Sequence, residues 1–225
     1  MFIITGASSG VGEFLFKHFE ISGQVFGTYN SASNSDSRLS KVDVRNYDEV
    51  EAWKSSLPLD ETTRLVLINC AGVSYSSFAH KSDILAWQNV INTNLIGTFN
   101  VIRSFLPTMR EAGFGRIINL GSIVAQSGVP GTSAYAASKS ALWGLAKSLA
   151  VENAAKHVTI NNINLGYCDI GMGITQISGP QRVDLLTKIP SRRFGSADEI
   201  ARTVEYFIAT EYVNGTSVDL NGALF

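Results

Sequence analysis

The sequence predicts an α/β protein with a doubly wound parallel sheet of about seven strands and helices on both faces. Short runs rich in β-branched and aromatic residues alternate with longer segments of helical periodicity along the whole chain. A glycine-rich turn joins the first strand to the first helix. The 225 residues contain no internal repeat, low-complexity tract or linker, so we expect a single domain.

The elements follow one another in the order strand, helix, strand. The predicted strands are Phe2–Thr5, Gln24–Tyr29, Leu39–Val44, Leu65–Asn69, Arg116–Leu120, Thr159–Leu165 and Thr216–Leu220. The predicted helices span residues 11–21, 47–56, 84–111, 133–155 and 197–210. Because crossovers between parallel strands are right-handed, this order predicts a parallel sheet whose ligands bind at the carboxyl ends of the strands.

The helical segments carry apolar residues at spacings of three and four. Leu142, Leu145 and Leu149 form such a stripe in the segment 133–155. The last helix begins with Ser196 followed three residues later by Glu199, the pattern of a capping box.

Composition limits the classes of partner. Charged residues make up 16% of the chain and apolar residues 45%, which predicts that helices are buried against partner subunits. We therefore expect a homodimer or homotetramer, with subunit contacts through the helices at 84–111 and 133–155. The net charge of -1 and the lack of a dense basic block argue against nucleic acid or an anionic membrane as partner.

The cysteines and the hydropathy pattern predict a cytoplasmic protein. Cys70 and Cys168 are far apart in sequence, and we expect two buried free thiols in a reducing compartment. Cys168 has no neighbour that would lower its pKa, so we interpret it as part of a pocket wall. No segment has the basic, apolar and cleavage regions of a signal peptide, or the roughly 18 apolar residues of a membrane span. We assign no metal ligands.

The turn after the first strand predicts a nucleotide site. Residues 5–12 read TGASSGVG, and a tight glycine turn at a helix N-terminus lets a pyrophosphate approach free N–H groups. The predicted contacts are Gly6, Ser8, Ser9, Gly10, Val11 and Gly12.

The end of the second strand bears on the choice of cofactor. An acidic residue there usually holds a ribose 2′-hydroxyl, whereas a 2′-phosphate requires positive charge. Tyr29, Asn30 and Ser31 stand at this place without an acid, which favours NADP, with NAD as the alternative. Arg38 or Lys41 could supply the charge.

A tyrosine and a lysine four residues apart stand in a run of small residues. Residues 133–142 read SAYAASKSAL, so a helix would place Tyr135 and Lys139 on one face. An ammonium group lowers the pKa of a nearby phenol and makes it more useful in general acid–base catalysis. A solvated surface pair is the structural alternative.

These motifs together resemble the short-chain dehydrogenase/reductase family. TGASSGVG, Asn69-Cys70-Ala71-Gly72, Asn94, Ser122, Tyr135 and Lys139 come in the family's order, with its thirteen-residue step from Ser122 to Tyr135. Residues 193–200 and 214–222 are similar to the 3-oxoacyl-(acyl-carrier-protein) reductase branch. The resemblance implies a single Rossmann-type domain over residues 1–225, with a short substrate lid at about 171–193. It also implies a carbonyl reductase or alcohol dehydrogenase.

The resemblance also implies roles for individual residues. Tyr135 would be the general acid or base, and Lys139 would hold the nicotinamide ribose and lower the pKa of Tyr135. Ser122 would hydrogen-bond the substrate oxygen, and Asn94 would hold a water that relays protons. The implied cofactor contacts further along the chain are Asp43 and Val44 at the adenine, Asn69, Ala71 and Gly72 under the cofactor, and Gly166 after the sixth strand.

Some of these residues have structural alternatives. Asn94 could be a polar residue that bonds the local backbone, and Ser122 and Asp43 could simply form turns. Leu165 and Ile170 depart from the family, which usually has proline and threonine there, and we expect the change to affect cofactor affinity more than the reaction.

A non-catalytic nucleotide-sensing regulator is the alternative function. An epimerase or dehydratase acting on sugar nucleotides would need a larger substrate domain.

Overall fold

The structure is a computed structural model that describes residues 1–31, 35–172 and 179–224. Its strands are β1 (Phe2–Thr5), β2 (Val25–Tyr29), β3 (Leu39–Lys41), β4 (Leu65–Asn69), β5 (Gly115–Ser122), β6 (Val158–Leu165) and β7 (Ser217–Leu220). Its helices are α1 (Gly10–Glu20), α2 (Tyr47–Ser56), α3 (Ile84–Ile91), α4 (Thr98–Glu111), α5 (Ser133–Asn153), α6 (Gly179–Lys188) and α7 (Ala197–Ala209). The seven predicted strands are confirmed.

The strands form one parallel sheet in the order β3-β2-β1-β4-β5-β6-β7. Strand β1 pairs with β2 on one side and with β4 on the other, so the winding direction reverses between β1 and β4. After these two strands the chain turns to helices on opposite faces of the sheet, α1 on one face and α4 on the other, and such a reversal leaves a crevice at the carboxyl edge. The doubly wound class is confirmed.

Alternate side chains of each strand enter two separate cores. Ile117 of β5 packs with residues of α2, α4 and α5, whereas Ile118 packs with residues of α1 and α7. This alternation follows from the two-residue period of a strand, and it explains why the strands are almost continuously apolar. Within the described part of the chain, no helix combines the length and apolar character that crossing a membrane requires.

Strand β3 is shorter than predicted. Its pairing ends at Lys41, although the Val42 N–H still donates to the Tyr29 carbonyl at 2.9 Å. Val42 and Val44 are buried in the core beneath a turn rather than paired with a strand. Because both valines are buried, the segment shows the alternating apolar pattern of a strand as far as Val44 although the strand ends earlier.

The predicted helix at 84–111 contains a π-helical segment, Asn92–Gly97, between α3 and α4. The Thr98 hydroxyl donates to the Asn94 carbonyl at 2.8 Å. Asparagine and threonine side chains compete for backbone groups, which disfavours regular helix here. Single π-helical turns often occur at functional sites, and this one carries Asn94.

The predicted lid contains a helix, α6, that the sequence analysis did not anticipate. Pro180, at the second position of α6, is a residue type that favours the first turn of a helix. The lid residues 173–178 lie outside the described residues. The lid's two ends are tied together, because the Asp169 N–H donates to the Gly195 carbonyl at 2.9 Å and the Gly195 N–H donates to the Tyr167 carbonyl at 3.0 Å. After it, the predicted capping box of Ser196 and Glu199 is present at α7.

Candidate active site

The loops after β1 and β4 contact each other at the crevice. The Thr5 hydroxyl oxygen accepts hydrogen bonds from the backbone N–H groups of Cys70 and Ala71, both at 3.1 Å. Gly6 has a positive φ of 64°, and a Cβ there would lie 2.9 Å from the Ala71 nitrogen. Only glycine fits this contact, which joins the turn to the loop holding Ala71 and Gly72.

The glycine turn leads into the N-terminus of α1, beside the loop that carries Gly171. Gly10 has a φ of 55°, and a Cβ there would lie 2.9 Å from the Gly171 Cα. Ser9 is the exposed N-cap residue, and among the described residues its side chain makes no capping hydrogen bond. Ser8 and Val11 on either side are partly exposed. Free N–H groups and the helix dipole at this place suit a phosphate group.

Positive charge near the end of β2 comes from Lys41. Lys41 is exposed and is the register partner of Tyr29, and Asn30 and Ser31 after it are exposed as well. Arg38, the other basic residue considered, is held elsewhere. Its guanidinium group donates to Asp36 and Glu20, with distances of 2.6 Å to each, and it lies over the Phe16 ring.

Asp43 and Val44 form the turn before α2. The Asp43 carboxylate accepts from the Arg45 backbone N–H at 3.0 Å and from its guanidinium group, whose hydrogen bonds hold the pKa of Asp43 below its usual value. The Val44 carbonyl accepts from the Asn100 amide at 3.0 Å, and the Val44 side chain lies against Gly97. These are the contacts of turn-forming residues, so the adenine role of both remains a proposal.

Asn69 begins a row of buried polar side chains across the sheet, which we call the asparagine row. Asn69 donates to Asn119 at 2.9 Å, Asn119 donates to Asn162 at 3.0 Å, and Asn162 donates to the Ser217 hydroxyl at 3.0 Å. These residues are register partners in β4, β5, β6 and β7. The row ties four strands together near the carboxyl edge of the sheet, and the role of Asn69 beneath a cofactor stays a proposal.

Asn94 clamps the loop after β4 to the helix α5. Its amide is fully buried, with Oδ1 accepting from the Val73 N–H at 2.8 Å and Nδ2 donating to the Val73 carbonyl at 2.9 Å and to Ser138 at 3.1 Å. A Cβ at Gly72 would lie 3.3 Å from the Asn94 Oδ1 and 3.7 Å from the Lys139 Nζ. The structure thus brings Gly72, Asn94 and Lys139 together, and the water-holding role of Asn94 stays a proposal.

Tyr135, Lys139 and Ser122 meet at the carboxyl end of β5. The Lys139 Nζ is buried, donates to the Leu120 carbonyl at 2.7 Å and lies 5.6 Å from the centre of the Tyr135 ring. Burial raises the pKa of Tyr135 above its usual value, and a hydrogen bond with Ser122 partly offsets this effect. The solvated-pair alternative for Tyr135 and Lys139 is therefore wrong. Ser122 also accepts from the Val124 N–H at 3.2 Å and so forms the turn that its position suggested.

We expected Lys139 to lower the pKa of Tyr135, but in the structure the pKa of Tyr135 is raised. Desolvation dominates for both groups, because it raises the pKa of the phenol and lowers the pKa of Lys139 to about 8. The ammonium group points at a backbone carbonyl instead of the phenol oxygen. A phenol with a raised pKa keeps its proton at neutral pH, as a general acid must.

The two cysteines are free. Burial raises the pKa of Cys70 to about 12, against a smaller lowering by the Lys139 charge, and burial raises the pKa of Cys168 to about 11. Both thiols stay protonated at neutral pH, which agrees with the assignment of Cys168 to a wall. Cys70 is partly accessible as a residue, but its thiol is desolvated, so both sulfur atoms fit the expectation of two buried free thiols.

The loop after β6 packs closely on the end of β7. The Gly166 N–H donates to the Leu220 carbonyl at 2.9 Å, and a Cβ at Gly166 would lie 2.7 Å from the Asn221 Cα. Leu165 and Ile170 pack against the core on the α1 and α7 side of the sheet. Both side chains therefore contribute apolar packing under the loop.

Three contributors to the site were missed in the sequence. Thr5 holds the loop after β4, the Leu120 carbonyl holds Lys139, and Ser138 links Asn94 to the Tyr135 carbonyl, to which it donates at 2.8 Å. A small polar residue directly before Lys139 was the signal for Ser138. Backbone partners such as Leu120 leave no such signal in the residue types.

Comparison with known proteins agrees with this geometry. Residues 1–179 match the family described as short chain dehydrogenase. An acetoacetyl-CoA reductase of Shinella zoogloeoides is 34% identical over 99% of this chain and 97% of its own. A 3-oxoacyl-(acyl-carrier-protein) reductase of Pseudomonas aeruginosa is 31% identical over 99% of this chain and 96% of its own.

A solved structure and a further relative lead to the same family. The crystal structure of a 3-oxoacyl-(acyl-carrier-protein) reductase from Brucella melitensis superimposes with a TM-score of 0.89 at 27% identity, covering 99% of this chain and 90% of that one. Nodulation protein G of a Rhizobium species is 30% identical over 99% of this chain and 95% of its own. The chain therefore belongs to the short-chain dehydrogenase/reductase family and is an oxidoreductase of its 3-oxoacyl reductase-like branch.

Proposed function

We propose that the chain is an NADPH-dependent carbonyl reductase that uses Tyr135 as its general acid. The observation that carries this proposal is the meeting of Tyr135, Ser122 and Lys139 at the end of β5. Contacts through Gly72 and Ala71 connect this group to the glycine turn. A proton donor and a nucleotide site thus lie at one edge of the sheet.

The residues at this edge fit a nicotinamide dinucleotide. The glycine turn, in which Cβ atoms at Gly6, Gly10 and Gly12 would collide with backbone, would take the pyrophosphate on the N-terminus of α1. Lys139 would hold the nicotinamide ribose through the donors that the Leu120 carbonyl leaves available. The cofactor, when bound, supplies a hydride to the carbonyl carbon.

The chain's own residues supply the proton and its control. Ser122 donates a hydrogen bond to the substrate oxygen, and Tyr135 gives its phenol proton to that same oxygen as the alcohol forms. The phenol carries this proton at neutral pH, and burial raises its pKa further above the usual value. The phenolate left behind would feel the Lys139 ammonium only from 5.6 Å, the distance from the Nζ to the ring centre, and would then be reprotonated from solvent.

The preference for NADPH rests on charge. No carboxylate stands at the end of β2, and the exposed Lys41 lies beside Tyr29 there. The Lys41 ammonium would attract a 2′-phosphate. Asn30 has no carboxylate to accept a hydrogen bond from a 2′-hydroxyl.

We propose 3-oxoacyl thioesters as the substrate class, because reductases named for such substrates are among the relatives.

We also propose that the protein is a homodimer or homotetramer. Ile84 and Leu85 of α3 and Phe99 of α4 are exposed apolar side chains on the helices expected to make subunit contacts. Light scattering coupled to size exclusion would measure the oligomeric state.

The first experiment is a fluorescence titration with NADPH and NADH, followed by absorbance decay with acetoacetyl-CoA, ketones, diketones and keto sugars. Tyr135→Phe should bind NADPH as the wild type does and lose about 100-fold or more of the turnover. The matched control is Tyr212→Phe, at a fully exposed tyrosine, which should keep full activity. Tight binding without turnover on any carbonyl would favour a nucleotide-sensing regulator, and no binding of either nucleotide would contradict the proposal.

A further inference from the structure

A second polar row lies one pleat closer to the carboxyl edge than the asparagine row. Gly121 of β5, Asn164 of β6 and Asp219 of β7 are register partners. Gly121 directly precedes Ser122 in the chain. This row therefore lies where β5 ends and the turn capped by the Ser122 hydroxyl begins.

Asn164 is completely buried, and both ends of its amide have partners. Its Nδ2 donates to the Asp219 Oδ1 at 2.8 Å, and its Oδ1 accepts from the Trp143 indole N–H at 3.1 Å. An indole nitrogen only donates and a carboxylate only accepts, so the orientation of this amide is determined by its partners. A buried amide held in this way is rigid.

The Asn164 amide also packs directly on the backbone before Ser122. A Cβ at Gly121 would lie 2.4 Å from the Asn164 Oδ1. Glycine is therefore required at residue 121 by the position of this amide, and Asn164 limits where the backbone of β5 can lie as it reaches Ser122.

The far side of the serine turn is held by the same carboxylate. Ser122 caps a short 3₁₀ turn, Ile123–Ala125, and the next residue is Gln126. The Gln126 side-chain amide donates to the Asp219 Oδ1 at 2.7 Å. One carboxylate oxygen thus accepts hydrogen bonds from Gln126, at the far end of the segment that holds Ser122, and from Asn164 of β6, whose amide packs on Gly121 at the near end.

The row is also connected to the catalytic helix. Trp143 lies on α5 eight residues after Tyr135, about two helical turns further along. Its hydrogen bond to Asn164 fixes α5 relative to β6 at the level of Ser122. The distance between the Ser122 hydroxyl and the Tyr135 phenol depends on this connection, because the two residues lie on different elements.

We propose that Asn164 and Asp219 are positioning residues that hold the Ser122 turn at the correct distance from Tyr135. The inference rests on the proposed function, in which Ser122 and Tyr135 act on one substrate oxygen. Neither Asn164 nor Asp219 touches the reacting atoms in this scheme. They act through Gly121 and Gln126 on the geometry of Ser122.

The first test needs no turnover. The 13Cζ chemical shift of Tyr135, assigned by its loss in Tyr135→Phe, reports the hydrogen bond to Ser122 at pH 7. Asp219→Ala should move this shift toward its value in Ser122→Ala, whereas Asp219→Asn, which keeps an acceptor oxygen, should leave it near the wild-type value. An unchanged shift in Asp219→Ala would overturn the inference even if the wild type reduces no carbonyl.

The second test uses the reductase activity with acetoacetyl-CoA and NADPH. Asp219→Ala should lower kcat about 10- to 100-fold, since small displacements of positioned groups have effects of this size. The Kd for NADPH should not change. In the Ser122→Ala background, Asp219→Ala should cause little further loss, because the two changes remove one function. Additive losses in the double variant would contradict a role exerted through Ser122.

Gln126→Ala is a milder variant than Asp219→Ala, and Ser217→Ala is the control. Gln126→Ala removes only the outer hydrogen bond to Asp219 and should give a smaller loss of kcat in a protein that folds normally. Ser217→Ala removes a side-chain hydrogen bond between β6 and β7 in the asparagine row, two residues before Asp219. It should leave both the Tyr135 shift and kcat unchanged, and an equal effect of Ser217→Ala would show general loosening of the sheet instead of positioning.

Discussion

The Cα of Gly12 faces the carbonyl of Gly6 so closely that a Cβ at residue 12 would lie 2.2 Å from the oxygen. Real side chains do not approach a carbonyl oxygen at this distance, so the first turn of α1 can pack on the end of β1 only with glycine. That helix turn begins directly after β1, beside the end of β4 with which β1 pairs. The contact between Gly12 and Gly6 therefore positions the helix N-terminus that we propose as the pyrophosphate site.

Gly12→Ala should therefore displace the start of α1. We expect NADPH affinity to fall at least about tenfold, and the unfolding free energy to fall by about 1 to 3 kcal/mol from overpacking. Fluorescence titration and thermal unfolding measure the two effects. Gly23→Ala, just beyond the other end of α1, is the matched control, because Gly23 is exposed and a Cβ there would meet the Phe2 ring at 3.7 Å, an ordinary contact; it should leave NADPH affinity unchanged and alter stability by less than about 1 kcal/mol. Equal effects of the two substitutions would contradict the role of the Gly6 contact.

Cofactor preference should depend on the residues at the ends of β2 and β3. Asn30→Asp should lower the affinity for NADPH relative to NADH about tenfold or more, since a carboxylate repels a 2′-phosphate and accepts from a 2′-hydroxyl. Lys41→Met should weaken NADPH binding and leave NADH binding unchanged. Titration of each variant with both nucleotides gives the ratio.

The control for this prediction is Arg38→Met. Arg38 pairs with Asp36 and Glu20, so its loss should affect stability but not the ratio of the two affinities. A shift in cofactor preference with Arg38→Met and none with Lys41→Met would reverse our assignment of the charge.

Lys139→Met should lose at least about 100-fold of the activity and yet stabilise the protein at pH 7. Burial lowers the pKa of Lys139 from 10.5 to about 8, so below pH 8 the folded state bears the cost of a buried charge. Between pH 8 and 10.5 the unfolded state binds more protons, so wild-type stability rises with pH relative to the variant. We expect the variant to be about 1 to 3 kcal/mol more stable at pH 7, with a difference that shrinks toward pH 10.

Urea unfolding at several pH values measures this difference. Lys156→Met is the control, because Lys156 is exposed in the turn after α5 and its substitution should change the unfolding free energy by less than about 0.5 kcal/mol. A Lys139→Met variant that is less stable at every pH would refute the destabilising effect of the buried ammonium group.

Glu199→Gln should destabilise the protein at neutral pH and not in acid. Arg193 donates to both carboxylate oxygens, at 2.8 and 2.6 Å, and with the Ser196 N–H it lowers the pKa of Glu199 to about 2. This contribution is complete above pH 4.5 and is lost as the pH falls toward 2. We expect a loss of about 1 to 2 kcal/mol at pH 7, measured by urea unfolding, that narrows by pH 3.

Glu205→Gln on the same helix serves for comparison. Glu205 is about half exposed and pairs only with His18 at 2.8 Å among the contacts described, so its substitution should change stability by less than about 0.5 kcal/mol. A larger loss at Glu205 than at Glu199 would be evidence against the stabilising role of the capping box.

Elements with a clear period or cap were predictable from local sequence. The strands needed only their apolar runs and flanking turns, and the capping box of Ser196 and Glu199 specifies the start of α7 without any long-range contact. The π-helical segment at Asn94 and the helix α6 were not predicted. The first depends on a loop that Asn94 clamps, and the second has a weak apolar pattern with Pro180 as its main signal.

The sequence by itself determined the parallel α/β class, the glycine turn and the types of residue that carry the chemistry, because these depend on period, local backbone freedom and spacing along one helix. Only the tertiary structure decided the direction of the Tyr135 pKa, since burial outweighs an ammonium group that is turned toward the Leu120 carbonyl. It also decided which basic residue is available near the end of β2. Both outcomes depend on which groups the fold brings into contact across distant parts of the chain, and spacing in the sequence does not contain that information.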